Sequence, residues 1–300
     1  MDLYPYQEEQ HMLRSLLFIP GNSPAMLQNA DIHGADGIIL DLEDAVSPDR
    51  KDAARLLVRH AVRAMEYRDC ILVIRINPLN TPYCPEDLQA VVPLKPDYIM
   101  PTKTGDAEEM DLLGSRIGQL ERQNGLEEGT IALMPLIETA RGLENAYAVA
   151  CVPRVKALML GAEDYTADLQ ALRSRESGEI AYARGRLLNA CRAAGIEAID
   201  TPFTDVNDME GLSADARHAR DLGFTGKACI SPRHIDAVNE AFSPTLQEVR
   251  YARDVMLAIE EGRRMGKGAV SLRGKMIDKP IVDRARRTLA AAEALGMEAD

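Results

Sequence analysis

The chain has 300 residues, 46% of them hydrophobic, and a formal net charge of −12. That length supports one large α/β domain or two ordinary ones. So acidic a chain is poorly suited to nucleic acid or an anionic membrane surface, because both demand clustered Lys and Arg. The five cysteines (Cys70, Cys84, Cys151, Cys191 and Cys229) are scattered, odd in number and free of CxxC spacing. They predict reduced, mostly buried thiols in a cytoplasmic protein.

The opening "MDLYPYQEEQHM" has neither a basic start nor an apolar run. It predicts a loosely ordered tail over residues 1–13, neither signal peptide nor membrane anchor. Eight short apolar runs follow in chain order: "SLLFIPG" from Ser15, "GIILDLED" from Gly37, "ILVIRIN" from Ile71, "YIMPTK" from Tyr98, "IALMPLIE" from Ile131, "VKALMLGAED" from Val155, "EAIDTPFTDV" from Glu197 and "GKACISP" from Gly226. Helix-like stretches separate most of them, such as "SPAMLQNADIHG", where Ser23 is placed to cap a helix with Pro24 in its first turn. Near-continuous apolar strands alternating with helices predict a parallel sheet covered on its faces. Eight such units predict a (β/α)8 TIM barrel over residues 14–243, with a doubly wound open sheet as the alternative. No GxGxxG or GxxxxGK[ST] follows any strand, which argues against a nucleotide-binding loop. Residues 244–300 predict a C-terminal helical extension and lid: helical patterns from Pro244 to Gly266, the segment "GAVSLRGKMIDKP", and a last helix from Ile281. This extension reads as too short for an independent domain, so it is expected to pack on the barrel or on a neighbouring subunit.

Barrel enzymes take their catalytic groups from the C-terminal ends of the strands. Those ends carry Asp41, Glu43 and Asp44 after the second run, Arg75 and Asn77 in the third, and Lys103 after the fourth. Glu138 follows the fifth, Glu163 and Asp164 the sixth, Asp200 and Asp205 the seventh, and Ser231 the eighth. Glu138 shares parity with Met134 and Leu136, so the three face one side. The stretch "LMLGAEDYTADL" (Leu158–Leu169) poses the question sharply, with Glu163, Asp164 and Asp168 crowded at the mouth of a strand. Helix capping explains such acids. So does a cation site, which relieves both mutual repulsion and desolvation. All five histidines lie away from the strand ends, so a cation there has oxygen ligands only, the pattern of Mg²⁺.

The segments "RSLLFIPGNSPAM", "DLEDAV", "VIRIN", "PLIETARGL", "LGAEDYTADL", "ISPRHI" and "GKMIDKPIVDRA", in this order, resemble the citrate lyase β-subunit group of the HpcH/HpaI and malyl-CoA lyase superfamily. The resemblance runs from about Arg14 to about Arg287. It implies a barrel enzyme with Mg²⁺ held by Glu138 and Asp164, Arg75 and Glu138 on the substrate, and Arg75 beside the developing oxyanions. It further implies that Asp278 acts as catalytic acid and base, reaching into a neighbouring subunit's site in a homotrimer or homohexamer. Glu43 and Asp44 fall where they would hold water around the metal. Relatives often end the fourth strand "LPK" where this chain has "MPTK", which leaves the role of Lys103 open. Lys227 and Arg233 are candidates for a phosphate contact. The implied reaction is a retro-Claisen cleavage of a β-hydroxyacyl thioester, carried on CoA or an acyl-carrier protein. Citryl thioester would give oxaloacetate and an acetyl thioester, with citrate lyase α and γ subunits as partners. Malyl-CoA, citramalyl-CoA and methylmalyl-CoA are alternative substrates. A non-catalytic binding or regulatory barrel is the alternative from another class.

Overall fold

The computed structural model describes residues 12–65, 67, 70–265 and 270–297; the expected N-terminal tail lies almost wholly outside them. Nine strand segments form one parallel sheet: β1 (Ser15–Pro20), β2 (Gly37–Asp41), β3 (Ile71–Ile76), β4 (Tyr98–Pro101), β5 (Ala132–Leu133), β6 (Leu136–Ile137), β7 (Ala157–Leu160), β8 (Glu197–Asp200) and β9 (Gly226–Cys229). Their order is β5-β4-β3-β2-β1-β9-β8-β7-β6. β5 and β6 are consecutive pieces of the single run "IALMPLIE", interrupted at Pro135, which has no N–H for the ladder. Met134 still donates to Ile99 O (3.0 Å), and Pro135 O accepts from Met159 N (3.1 Å). Leu133 also bridges Val155 directly. The two ends of the order therefore meet, and the eight predicted runs close into a barrel.

Between the strands lie α1 (Pro24–Gln28), α2 (Lys51–Met65), α3 (Tyr83–Val91), α4 (Ala107–Gln123), α5 (Ala140–Glu144), α6 (Ala146–Ala150), α7 (Ala162–Asp168), α8 (Ala181–Ala194), α9 (Met209–Leu222) and α10 (Ile235–Phe242). Ser23 occupies the N-cap position of α1 but makes no side-chain bond there. Strand alternation divides the core in two. Leu16, Ile39, Val73, Met100, Leu136, Met159 and Ile199 fill the barrel. Leu17, Ile38, Ile74, Ile99, Leu158 and Ala198 face the helices. The same parity carries Asp41, Arg75, Glu138, Gly161 and Thr201 to the inner side of the barrel's C-terminal end. Asp200 and Lys227 have the opposite parity and go outward.

The described residues from Ser243 onward form a second compact unit. It comprises α11 (Leu246–Arg264), the hairpin β10 (Val270–Leu272) and β11 (Lys275–Ile277), and α12 (Lys279–Ala294). A Thr245–Glu248 capping box starts α11. Arg273 and Gly274 at the hairpin turn both have positive φ (50° and 78°), the requirement of a two-residue type I′ turn. Ala252, Val255, Ile277, Val282 and Ala285 make an apolar cluster within this unit. Among the described residues no helix is long and apolar enough to cross a membrane.

Candidate active site

The loop after β2 is the foundation of the site. Asp41 accepts from Glu43 N (2.7 Å) and Ala45 N (3.2 Å), folding the loop back on the strand. Buried Lys51 donates through Nζ to the carbonyls of Leu42 and Glu43, both at 2.8 Å. Asn77 Nδ2 reaches the same Leu42 carbonyl (2.9 Å) and is itself held by Asp87 (2.7 Å). Three polar anchors thus fix the loop.

Arg75 is expected to grip substrate with its guanidinium fork. The structure places that fork on Asp41 instead, with Nε to Oδ1 at 2.7 Å and Nη2 to Oδ2 at 2.5 Å. Only Nη1 is left toward the site, 3.4 Å from Glu43 Oε2. The guanidinium also lies 4.9 Å from the Phe18 ring centroid, a cation–π contact that further immobilises it.

Lys103 is a residue whose role the sequence left open, and it stands at the centre. Its backbone adopts φ +53°, an uncommon conformation for a non-glycine that tends to persist at functional sites. The turn aims its N–H at Glu138 Oε1 (2.7 Å). Its ammonium bridges Glu43 Oε1 and Asp164 Oδ2, each at 3.1 Å, with Asp44 Oδ2 at 3.9 Å. Burial pulls the Lys103 pKa down, but Glu43, Asp164 and Glu138 outweigh it and carry the value up. Glu43 is pushed upward by burial, against the attraction of Arg75. Glu138, 4% exposed, is raised to about 7, first by burial and then by the charges of Asp164 and Glu43, with the Lys103 N–H opposing.

The crowded acids after β7 divide their work. Asp164 enters the site. Glu163 accepts from Arg173 Nε (2.8 Å). Asp168 accepts from Ala140 N (2.8 Å), tying the end of α7 to the chain just after Glu138. Asp164 and Asp168, but not Glu163, line a cavity of about 470 Å³ together with Asp44, Lys103, Glu138, Thr139 and Ala167. Glu138 can sit here because residue 161 is glycine: a Cβ there would fall 2.6 Å from Glu138 Cβ and 2.9 Å from its Oε2.

Arg75, Glu43, Asp44, Glu138 and Asp164 are therefore brought together. Asp278 belongs to the second unit, where it caps α12 and accepts from Ile281 N (3.3 Å). Lys227 is not free for a phosphate: it is fully buried and paired with Asp200 (2.7 Å) and Asp215 (2.6 Å). Ser231 caps a single turn, accepting from Arg233 N (3.4 Å). The pairing of Arg75 with Asp41 is the salt bridge to a strand-two acid that the sequence offers as the alternative for this arginine. Sequence reading missed Lys51, Gly161 and the two faces of Lys103.

The donor set fits a hard divalent cation. It is all oxygen, and Glu138 keeps Oε2 clear of the Lys103 N–H. Among the described residues no three His, Cys, Asp or Glu are grouped to enclose a metal. Two carboxylates completed by water and substrate oxygens is the Mg²⁺ mode, which resists full dehydration.

The pattern of HpcH/HpaI aldolase/citrate lyase matches residues 14–232. The citrate lyase subunit beta of Leuconostoc mesenteroides subsp. cremoris is 43% identical, covering 95% of each chain. A (3S)-malyl-CoA thioesterase of Cereibacter sphaeroides is 33% identical over 96% of this chain and 97% of its own. Among solved structures, the protein CitE from Mycobacterium tuberculosis in complex with magnesium, acetoacetate and coenzyme A superposes with a TM-score of 0.78 at 31% identity, covering 93% of this chain and 97% of that one. Barrel, site and sequence agree: the chain belongs to the HpcH/HpaI aldolase/citrate lyase family.

Proposed function

We propose that the protein is a Mg²⁺-dependent carbon–carbon lyase that cleaves a β-hydroxyacyl thioester, citryl thioester to oxaloacetate and an acetyl thioester. The observation that carries the reading is the pair Glu138 and Asp164: two carboxylates in one barrel mouth, one of them buried, with no histidine beside them among the described residues. Glu138 and Asp164 hold the metal, which when bound supplies Lewis-acid stabilisation to the keto-acid half's oxygens. Glu43 and Asp44 orient water around it. Arg75, locked by Asp41, presents Nη1 as one pre-aimed cationic donor for charge developing on the substrate, at no cost of reorganisation. Asp278 of a neighbouring subunit in a homotrimer or homohexamer delivers the proton to the departing enolate carbon. The greater likeness to a citrate lyase β subunit favours citryl thioester over malyl thioester. It also supports a multi-subunit cytoplasmic setting, with the thioester on CoA or on a carrier subunit and with α and γ partners.

The test is calorimetric titration of MgCl₂ into the wild type and Glu138→Gln, together with product identification from citryl-, malyl- and citramalyl-CoA. Binding and cleavage in the wild type, both lost in the variant, are expected. Metal binding undiminished by Glu138→Gln would sink the assignment, and free malate as the sole product from malyl-CoA would replace the lyase with a hydrolase.

A further inference from the structure

Helix α7 has a problem at its start. It follows β7 with only Gly161 between, and Gly161, at φ −101° and ψ 84°, offers no side-chain cap. Ser, Thr, Asp or Asn normally fill this position and accept an otherwise orphaned first-turn N–H. Here Glu138 forbids them, because its Cβ and Oε2 occupy the space any Cβ at 161 would need. The carboxylate in the site thus deprives the neighbouring helix of its own cap.

The missing acceptor comes from another strand. Thr201, just past β8 and 2% exposed, accepts from Ala162 N through Oγ1 at 3.1 Å. Thr201 is itself pinned: its carbonyl accepts from Lys227 Nζ at 2.7 Å. The ammonium of Lys227 is held by Asp200 and Asp215, and both acids are shared with Arg184 at 2.8 Å. Every donor of that ammonium has an acceptor, so the Thr201 backbone has one position. The first turn that Thr201 caps is the turn carrying Asp164.

We propose that Thr201 is a positioning residue, which caps α7 from across the barrel and so sets Asp164 against Glu138. Asp168, bonded to Ala140 N at the helix's other end, completes the clamp. The buried charges Arg184, Asp200 and Lys227 and the partly buried Asp215, unused by the chemistry, serve as its foundation. The proposal rests on the reading that Glu138 and Asp164 hold Mg²⁺.

The test titrates MgCl₂ alone, without substrate, into the full-length wild type, Thr201→Val, Thr201→Ser and Glu138→Gln. Thr201→Val is expected to weaken Mg²⁺ binding roughly tenfold, the scale at which residues behind metal ligands act. Thr201→Ser, which keeps the hydroxyl, stays within about twofold on the same scale. At saturating Mg²⁺ the valine variant recovers its kcat, the defect residing in the apparent KM for metal. A purely structural role would lower the melting temperature and leave the metal affinity in place, so a folded Thr201→Val with wild-type affinity overturns the proposal. Equal losses in Ser and Val variants overturn it too. If Thr201→Val does not fold, hydrogen exchange decides: the Ala162 amide must be protected in the wild type and in Thr201→Ser, and free exchange there refutes the cap. A wild type that binds no Mg²⁺, or a Glu138→Gln that binds it equally well, sinks the metal reading itself and is seen independently of the Thr201 variants.

Discussion

Gly161→Ala isolates the packing of the chain against Glu138. The φ of −101° at Gly161 is open to any residue, so the substitution carries no backbone strain. By its effect on the unfolded chain alone it would stabilise by about 0.4–1 kcal/mol. The added Cβ, however, meets Glu138 Cβ at 2.6 Å and Oε2 at 2.9 Å, against an optimal carbon–carbon separation of about 3.5–4.0 Å. Roughly an ångström of displacement is needed, and overpacking of a well-filled site costs about 1–3 kcal/mol. The steric term wins, so net destabilisation is expected. Glu138→Gly removes both obstructing atoms, and the double variant should regain what the single one loses. Urea unfolding of the four proteins without metal gives the cycle, with a coupling of about 1–3 kcal/mol in the compensating direction. Mg²⁺ titration of Gly161→Ala should show weakened binding, because Glu138 is the side chain that must move. A Gly161→Ala as stable as the wild type, or effects that simply add, would refute the packing argument.

Lys103→Met should tighten Mg²⁺ binding in the absence of substrate by roughly tenfold, about 1.4 kcal/mol, because the ammonium 3.1 Å from Asp164 competes with the ion; weaker binding by calorimetry would show that Lys103 assists it. His234 is fully buried, neither ring nitrogen has a partner among the described residues, and burial and then the nearby Lys227 charge push its pKa down. Below pH ~6.5 the unfolded chain takes up a proton that the folded one refuses, so stability falls as pH drops, by up to about 1.4 kcal/mol per pH unit; the difference between wild type and His234→Leu in urea unfolding should grow from pH 6.5 downward and be constant above it, and parallel profiles would refute it. Mixing inactive Asp278→Ala with inactive Glu138→Ala, with subunit exchange verified, should restore activity if Asp278 serves a neighbour's site; a mixture that stays inactive refutes that role.

The barrel was legible because its signal is long and redundant: eight apolar runs, each bounded by polar or Gly/Pro residues. The break at Pro135 and the closure through Leu133 were not visible as such, since pairing partners are set by the ring rather than by the run. Glu138 could be placed by parity with Met134 and Leu136, and the structure puts all three on the inner side. The same rule, applied to Asp200 and Lys227, would have sent them to the helix layer, where they form a buried ion network. Lys103 was illegible because its position depends on a left-handed turn, for which "PTKT" carries no glycine or asparagine marker. The grip of Asp41 on Arg75 depends on the register between β2 and β3, in which Asp41 lies directly beside Arg75. The β10–β11 turn did carry a marker, Gly274 after Arg273, in a stretch for which no strands were expected.

The acids at the mouth answer to different partners, and what remains is an excess of negative charge. Asp41 is neutralised by both nitrogens of the Arg75 fork. Glu43 shares Lys103 and the third nitrogen of Arg75, and Lys51 supports its loop from below through carbonyls rather than carboxylates. That leaves Lys103 alone to serve Asp164 and, by its backbone N–H, Glu138. One half-exposed ammonium between three carboxylates leaves the cluster negative, and burial first, with the charges of Asp164 and Glu43 adding to it, raises the pKa of Glu138. A dication held by Glu138 and Asp164, as proposed, would reverse the logic, because it favours the ionised form of both carboxylates at once. Metal binding should therefore release protons from Glu138 near neutral pH, and the heat of Mg²⁺ titration should depend on the ionisation enthalpy of the buffer. Identical heats in phosphate-free buffers of low and high ionisation enthalpy, at pH ~7, would show that Glu138 is already ionised without the metal.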